Sequence, residues 1–88
     1  MSDVGDLLRQ GLKDAGRYQA SVARAAGISY KHLSRVVMGT ASLSVQIAVR
    51  LEVEVPTISA EALLIAQVRE EIRDCVKKIN DGGKKWDQ

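Results

Sequence analysis

The chain has 88 residues, 45% of them hydrophobic and 27% charged, a composition that predicts one small globular domain and excludes a disordered chain. An aromatic content of 3% argues against binding of single strands on stacked rings, and one Cys with one His excludes an internal disulfide and a tetrahedral zinc site. The net charge of +2 is unevenly spread: seven basic residues stand against one acid between Arg9 and Arg50, and six against ten elsewhere, which predicts a half that faces a polyanion.

Helical spacing of apolar residues recurs along the chain, whereas strand-like alternation does not. The first helix is predicted from Val4 to Ala15, with Gly16 as its C-terminal stop. Gly11 lies inside this helix and costs roughly 1 kcal/mol relative to Ala, so tertiary packing must hold the helix together. Three further helices are predicted from Tyr18 or Gln19 to Ala26, from the N-cap Ser29 to Gly39, and from a cap at Ser42 or Ser44 to a stop before Pro56.

The fifth and longest helix is predicted from Ser59 to about Asn80, and residues 81–88 are predicted to form a flexible tail. Its acids at positions 70, 71 and 74 are expected to form ion pairs with neighbouring basic residues on a solvated face. The 3-4-3-4 spacing of its apolar residues is that of a coiled-coil seam, and we predict that it packs on a second copy in a symmetric dimer. The alternative is that it folds back on its own core. The seam consists of Ile65, Val68, Ile72, Cys75 and Ile79, and we expect Cys75 to be a small buried hydrophobe.

The segment from Gln19 to Met38 is typical of two short helices that cross steeply over a tight turn. Ala23 is small at the predicted crossing, and Gly27 can adopt the left-handed conformation of a sharp turn. The apolar residues of both helices can lock them together, which leaves a polar face pointing outward. That face carries Ser29, Tyr30, Lys31, His32, Ser34 and Arg35, side chains suited to recognition of a major groove.

This segment resembles the helix-turn-helix of the Cro and lambda-repressor (XRE-type) family, over roughly residues 4–55. The resemblance rests on the spacing of Ala23, Gly27, Leu33 and Val36, on Gln19, and on the continuation through Gly39-Thr-Ala-Ser-Leu-Ser and Ala48-Val-Arg-Leu. It implies an all-α DNA-binding domain of the helix-turn-helix type. Together with the helices predicted above, we expect a five-helix domain over residues 1–80 whose long C-terminal helix, residues 59–80, serves for dimerisation. The Gly-x-x-x-Leu-Ser and Ala-x-Arg-Leu patterns and residues 59–67 are also similar to HigA-type antitoxins.

The resemblance also implies roles for individual residues. Tyr30, Lys31 and Arg35 fall where the family contacts base edges, and His32 is a further candidate at the groove edge. Gln19, Ser29 and Thr40 fall where the family contacts phosphates. We add Arg17 and Ser34 as phosphate candidates, because they lie in or beside the basic, outward-facing segment.

These observations predict a cytoplasmic transcriptional regulator, a repressor that binds an inverted-repeat operator in double-stranded DNA as a homodimer. We expect no enzymatic activity, no cofactor, no metal and no association with a membrane, because no phosphate-binding loop and no bilayer-length apolar run is present. The alternative is an antitoxin that sequesters a protein toxin, with the acidic segment from Glu52 to Asp74 facing a basic partner. A phage repressor or Cro-like switch protein would share the DNA-binding mechanism.

Overall fold

In the computed structural model, which describes residues 2–82, the chain forms five α-helices and no strand. The helices are α1 (Asp3–Ala15), α2 (Gln19–Ala26), α3 (Tyr30–Met38), α4 (Val45–Glu54) and α5 (Ala60–Gly82). The predicted all-α class and the five predicted helices are confirmed. α5 runs two residues beyond its predicted end at Asn80, and the remainder of the predicted tail, residues 83–88, lies outside the described residues.

The ends of the helices follow from capping residues that the sequence displays. The hydroxyl oxygens of Ser2, Ser29, Ser44 and Ser59 each accept a hydrogen bond from the backbone N–H three residues later, at distances of 3.1–3.3 Å. Three glycines after helix ends have φ values of 67°, 71° and 84°, the left-handed conformation of a C-terminal cap. They are Gly16, Gly27 and Gly39, the three predicted stops.

A single cluster of buried apolar side chains lies among the five helices, and the described residues contribute no buried polar or charged side chain to it. Both α1 and α4 pack against α5, α1 also packs against α3, and α2 packs against α3 and α4. The largest fully buried side chains come from four different helices: Leu8, Leu33, Leu51 and Leu63. The charged side chains of this region are therefore all at the surface, where they can meet solvent or a partner.

Two glycines inside α1 stand where the helix approaches its neighbours most closely. A Cβ atom at Gly5 would overlap the backbone carbonyl of Val37 at the end of α3. A Cβ atom at Gly11 would lie 2.5 Å from Cγ1 of Ile58, and the Gly11 carbonyl accepts a hydrogen bond of 2.6 Å from the Thr57 hydroxyl. Contact with the segment between α4 and α5 therefore supplies the tertiary packing that compensates for the low helix propensity of Gly11.

We expect Gly5→Ala to lower the free energy of unfolding by about 1–3 kcal/mol, because the added methyl group meets backbone that cannot rotate away. Urea denaturation of both proteins would measure the loss. Lys13→Ala is the control, since Lys13 is exposed on the same helix, and it should change stability by less than about 0.5 kcal/mol. An unchanged stability of the Gly5 variant would contradict the close approach of α1 and α3.

The second half of α5 extends beyond the rest of the protein. Every residue from 71 to 81 is exposed, and the molecule measures 45 × 21 × 19 Å. The predicted seam residues are also exposed, so α5 does not fold them back onto its own core. Cys75 is therefore exposed in the single chain, and the expectation that it is buried is met only if a partner covers it.

Polar side chains of α5 tie this helix to the start of α1 and to the loop before α4. A carboxylate oxygen of Glu70 accepts hydrogen bonds from the backbone N–H groups of Asp3 and Val4, and it thereby caps α1 from a distant part of the chain. The Gln67 side chain accepts from the Leu43 N–H at 2.6 Å and donates to the Leu43 carbonyl at 2.9 Å. Glu70 was expected to form ion pairs along α5, and the structure uses it as a helix cap instead.

We expect Glu70→Gln to lower the free energy of unfolding by about 0.5–1 kcal/mol, because a neutral amide replaces a carboxylate at the positive end of α1. The matched control is Glu71→Gln, which removes the same charge from the next, exposed position. Thermal unfolding of both variants at neutral pH would compare them. An equal loss in both would mean that net charge, and not the cap on α1, determines the effect.

Candidate nucleic-acid interface

The turn between α2 and α3 is short and closely bonded. Gly27 adopts a left-handed conformation, and the backbone N–H of Ile28 donates a hydrogen bond of 2.8 Å to the Ala23 carbonyl. The side chains of Ala23 and Ile28 are buried, as is that of Leu33 from α3. The small Ala23 side chain lets the two helices approach closely, as expected, and their angle is held by contacts on both sides of the turn.

The outward face of α3 presents most of the predicted base-contacting residues together. Tyr30, Lys31 and Arg35 are exposed and Ser34 is half-buried, and their spacing of one and four residues places them on one side of the helix. The opposite side of α3 is buried against the core through Leu33, Val36 and Val37. The core therefore orients this side of α3 toward solvent.

His32 lies at the flank of this face. It is half-buried and lines a surface pocket of about 340 Å³ together with Ser29, Ile47 and Arg50. Its neighbours come from the turn and from α4, so His32 is placed at the edge of α3's outward face and not in line with Lys31 and Arg35.

The predicted phosphate-contacting residues occupy the borders of the same surface. Gln19 is the first residue of α2 and is half-buried. The Ser29 hydroxyl caps α3 by accepting from the His32 N–H, and the Thr40 hydroxyl donates to the Arg35 carbonyl at 3.2 Å. These hydroxyls have roles in the chain's own helix ends and remain exposed to a ligand.

Arg17 differs from the other candidates because it already has an acidic partner. Its guanidinium group lies 3.4 Å from a carboxylate oxygen of Glu54 at the end of α4, and both side chains are about 30% exposed. A phosphate at this position would compete with that ion pair. The ion pair with Glu54 therefore weakens the prediction that Arg17 binds a phosphate.

Residues 15–51 contain no acid, and the structure brings their basic side chains to the surface. Apart from Arg17, these are Arg24, Lys31, Arg35 and Arg50, and none has a carboxylate oxygen within 4.0 Å in the described chain. Arg24 and Arg50 are not among the contact residues predicted from the sequence. The sequence feature that could have identified them is the absence of acids from residues 15–51.

A second exposed surface lies on α4 and α5. The predicted dimerisation residues Ile65, Val68, Ile72, Cys75 and Ile79 are all exposed, as the interface of a separate copy requires. Three valines of α4 that were not predicted as surface residues are also exposed and lie four residues apart: Val45, Val49 and Val53. Their four-residue spacing could have identified them. The spacing is hard to recognise in the sequence because α4 also carries apolar residues that face the core.

Comparisons of the chain with protein-family models, with curated proteins and with solved structures find no match. Within residues 2–82, no three His, Cys, Asp or Glu side chains are grouped so that they could hold a metal ion. Over the same part of the chain, none of the helices combines the length and the apolar character needed to span a membrane.

Proposed function

We propose that this protein is a sequence-specific, double-stranded DNA-binding transcriptional regulator of the Cro and lambda-repressor helix-turn-helix type. The observation that carries the proposal is the face of α3 on which Tyr30, Lys31 and Arg35 are exposed together without an acid. An α-helix fits the major groove of B-DNA, and Lys and Arg can donate to O6 and N7 of guanine there. α3 is the recognition helix in this proposal.

The basic residues around α3 supply the affinity for the DNA backbone. Arg24 and Arg50 lie outside α3 and are exposed, and neither is engaged by a carboxylate in the described chain. Neutralisation of phosphates by such residues releases counterions, so binding should weaken as the salt concentration rises. In this arrangement Gln19, Ser29 and Thr40 contact phosphates at the ends of α2 and α3, and Ser34 contacts phosphate from within α3.

A repressor acting as a homodimer accounts for the exposed apolar residues of α5. Two-fold symmetry of the protein requires an inverted repeat in the operator, with half-sites about 34 Å apart, which is one turn of the double helix. Repression follows if the occupied operator overlaps a promoter. The exposed seam of α5 supports a second copy as the partner, because none of the described residues covers this stripe of apolar side chains.

Selection of binding sites from a random duplex library at about 0.15 M salt tests the proposal. We expect enrichment of an inverted repeat whose half-sites are one helical turn apart. If circular dichroism shows a folded protein and no sequence is enriched, sequence-specific DNA binding is wrong. The search would then turn to a protein partner, as an antitoxin requires.

The acidic segment gives less support to the antitoxin alternative than its composition suggests. Glu70 caps α1, Glu54 pairs with Arg17, and a carboxylate oxygen of Glu52 accepts a hydrogen bond of 2.8 Å from the Ala60 N–H at the start of α5. These acids stabilise the chain's own fold. The number of acids available to a basic toxin is correspondingly smaller.

A further inference from the structure

An apolar groove runs between α4 and α5 on the outside of the protein. It has a volume of about 660 Å³ and lies beside the start of α5, where that helix packs on α4. Its floor and walls are almost entirely aliphatic, and one acid and one base lie at its edges. The lining residues are Val49, Ala60, Glu61, Leu64, Ile65, Val68 and Arg69.

The groove is continuous with the exposed stripe of α5. Ile65 and Val68 line the groove, and the same side of the helix continues through Ile72, Val76 and Ile79. This side is opposite to the side that Leu63 turns toward the core. α5 therefore has two apolar sides, and its own domain covers one of them.

The two halves of this stripe have different surroundings. The first half lies in the groove beside Val49 of α4, whereas the second half extends where every residue from 71 to 81 is exposed. The first half thus offers a concave site and the second half offers a free helix with apolar residues at four- and three-residue spacing. Each chain therefore carries an apolar groove and an apolar helical segment suited to fill it. The segment cannot reach the groove of its own chain, because both belong to the same straight helix.

We propose that the groove between α4 and α5 receives the projecting half of α5 from a second copy, with the two α5 helices antiparallel. This inference rests on the homodimer in the proposed function, and it adds the orientation of the helices and the participation of α4. Each copy would place the second half of its α5 in the groove of the other. Two symmetric sites would be filled at once.

The spacing of the stripe is self-complementary in this orientation. With Ile72 at the two-fold axis, Ile65 lies opposite the partner subunit's Ile79, and Val68 lies opposite the partner subunit's Val76. The partner subunit's Val76 and Ile79 are then next to Val49, because Val49 lines the same groove as Ile65 and Val68. Each exposed aliphatic residue of this set contacts another one.

Charge also favours the antiparallel orientation. Glu61 is one turn before Ile65 and lies at the edge of the groove. A parallel pair related by two-fold symmetry would bring Glu61 level with the partner subunit's Glu61, and like charges at that distance repel. The antiparallel pair separates the two Glu61 side chains by about 33 Å along the helix axis and opposes the two helix dipoles.

Cross-linking determines the orientation directly. Cys75→Ser removes the natural thiol, and Ile65→Cys and Ile79→Cys are then made separately in that background. We expect a short bismaleimide to link an equimolar mixture of the two variants into covalent dimers, at a yield at least about tenfold above that of either variant alone. In the proposed pair, the two copies of position 65 are about 21 Å apart along the helix axis, beyond the reach of the reagent.

Each variant is first shown by circular dichroism to fold and by sedimentation to be a dimer. Efficient linking of the Ile65→Cys variant to itself would establish a parallel pair and overturn the proposal. A mixture that links no better than the single variants would overturn it as well. A wild-type chain that sediments as a monomer at tens of micromolar would overturn both the dimer and this inference.

A pair of valine variants tests the contribution of α4. Val49→Lys places a charge in the groove, and we expect it to raise the dimer dissociation constant at least about tenfold. Val53→Lys is the matched control, because Val53 is 76% exposed on the same helix and does not line the groove, and its effect should be less than about threefold. Equal dissociation constants for both variants would mean that α4 takes no part in the interface.

The cross-linking and binding-site selection experiments distinguish a failure of this inference from a failure of the proposed function. An inverted repeat selected by a parallel dimer would retain DNA recognition and overturn the docking of α5 in the groove. An antiparallel dimer that selects no sequence would retain the docking and overturn DNA recognition.

Discussion

Arg35→Ala is expected to weaken binding to the selected operator by between about 30-fold and about 10⁴-fold. A bidentate contact from Arg to guanine contributes about 1–3 kcal/mol of discrimination, and a symmetric dimer loses this contact in both half-sites. Arg35 is exposed on the outward side of α3, and none of its neighbours in the described chain supplies a carboxylate to hold it away from DNA. Base preference should disappear at one position in each half-site.

Fluorescence anisotropy with the selected duplex, and with duplexes changed at single positions, would measure this effect. Arg24→Ala is the matched control within the basic surface, because it removes the same side chain from α2. It should weaken all duplexes alike and reduce the salt dependence by about one phosphate contact per subunit. If Arg35→Ala weakened every duplex equally, α3 would not be the recognition helix.

Leu8→Ala is expected to lower the free energy of unfolding by about 2.7–5 kcal/mol. Leu8 is fully buried in α1 and belongs to the cluster that joins the helices, so its truncation leaves a cavity and removes apolar contacts. A domain of this size is stable by about 5–15 kcal/mol, and the variant would lose a large part of that margin. The melting temperature should fall by at least about 10 °C.

The neighbouring residue supplies a control with identical chemistry. Leu7 is 41% exposed, so Leu7→Ala removes the same atoms from a site that solvent already reaches and should cost less than about 1 kcal/mol. Both variants would be compared by urea denaturation at one protein concentration. A similar loss in both would contradict the orientation of α1 against the core.

The sequence was sufficient to predict which residues form the outward face of α3 and that this face points away from the core. The buried set of Leu33, Val36 and Val37 has helical spacing, and this spacing leaves Lys31 and Arg35 on the other side. The ion pair between Arg17 and Glu54 was not predictable, because 37 residues separate the two. Only the packing of α4 beside the start of α2 decides that Arg17 has a partner, while Arg24 has none among residues 2–82.

For the exposed surface on α4 and α5, too, some features were predictable from the sequence and others were not. The spacing identified the seam residues of α5, and the structure leaves them exposed. It did not reveal the groove, since a groove requires the relative position of two helices. The valines of α4 could have been recognised by their spacing, but the position of Val49 beside Ile65 and Val68 depends on how α4 packs against α5.

The sequence by itself determined the all-helical class, the number of helices and nearly all of their ends. These features depend on interactions within about four residues, such as a serine hydroxyl on the N–H three residues later or a glycine that can adopt positive φ. The tertiary structure alone decided that Glu70 caps α1, that Gln67 holds Leu43, and that Gly5 must lack a side chain beside Val37. Those contacts join residues 24 to 67 positions apart, and periodicity shows that a helix face is apolar without showing which neighbour will cover it.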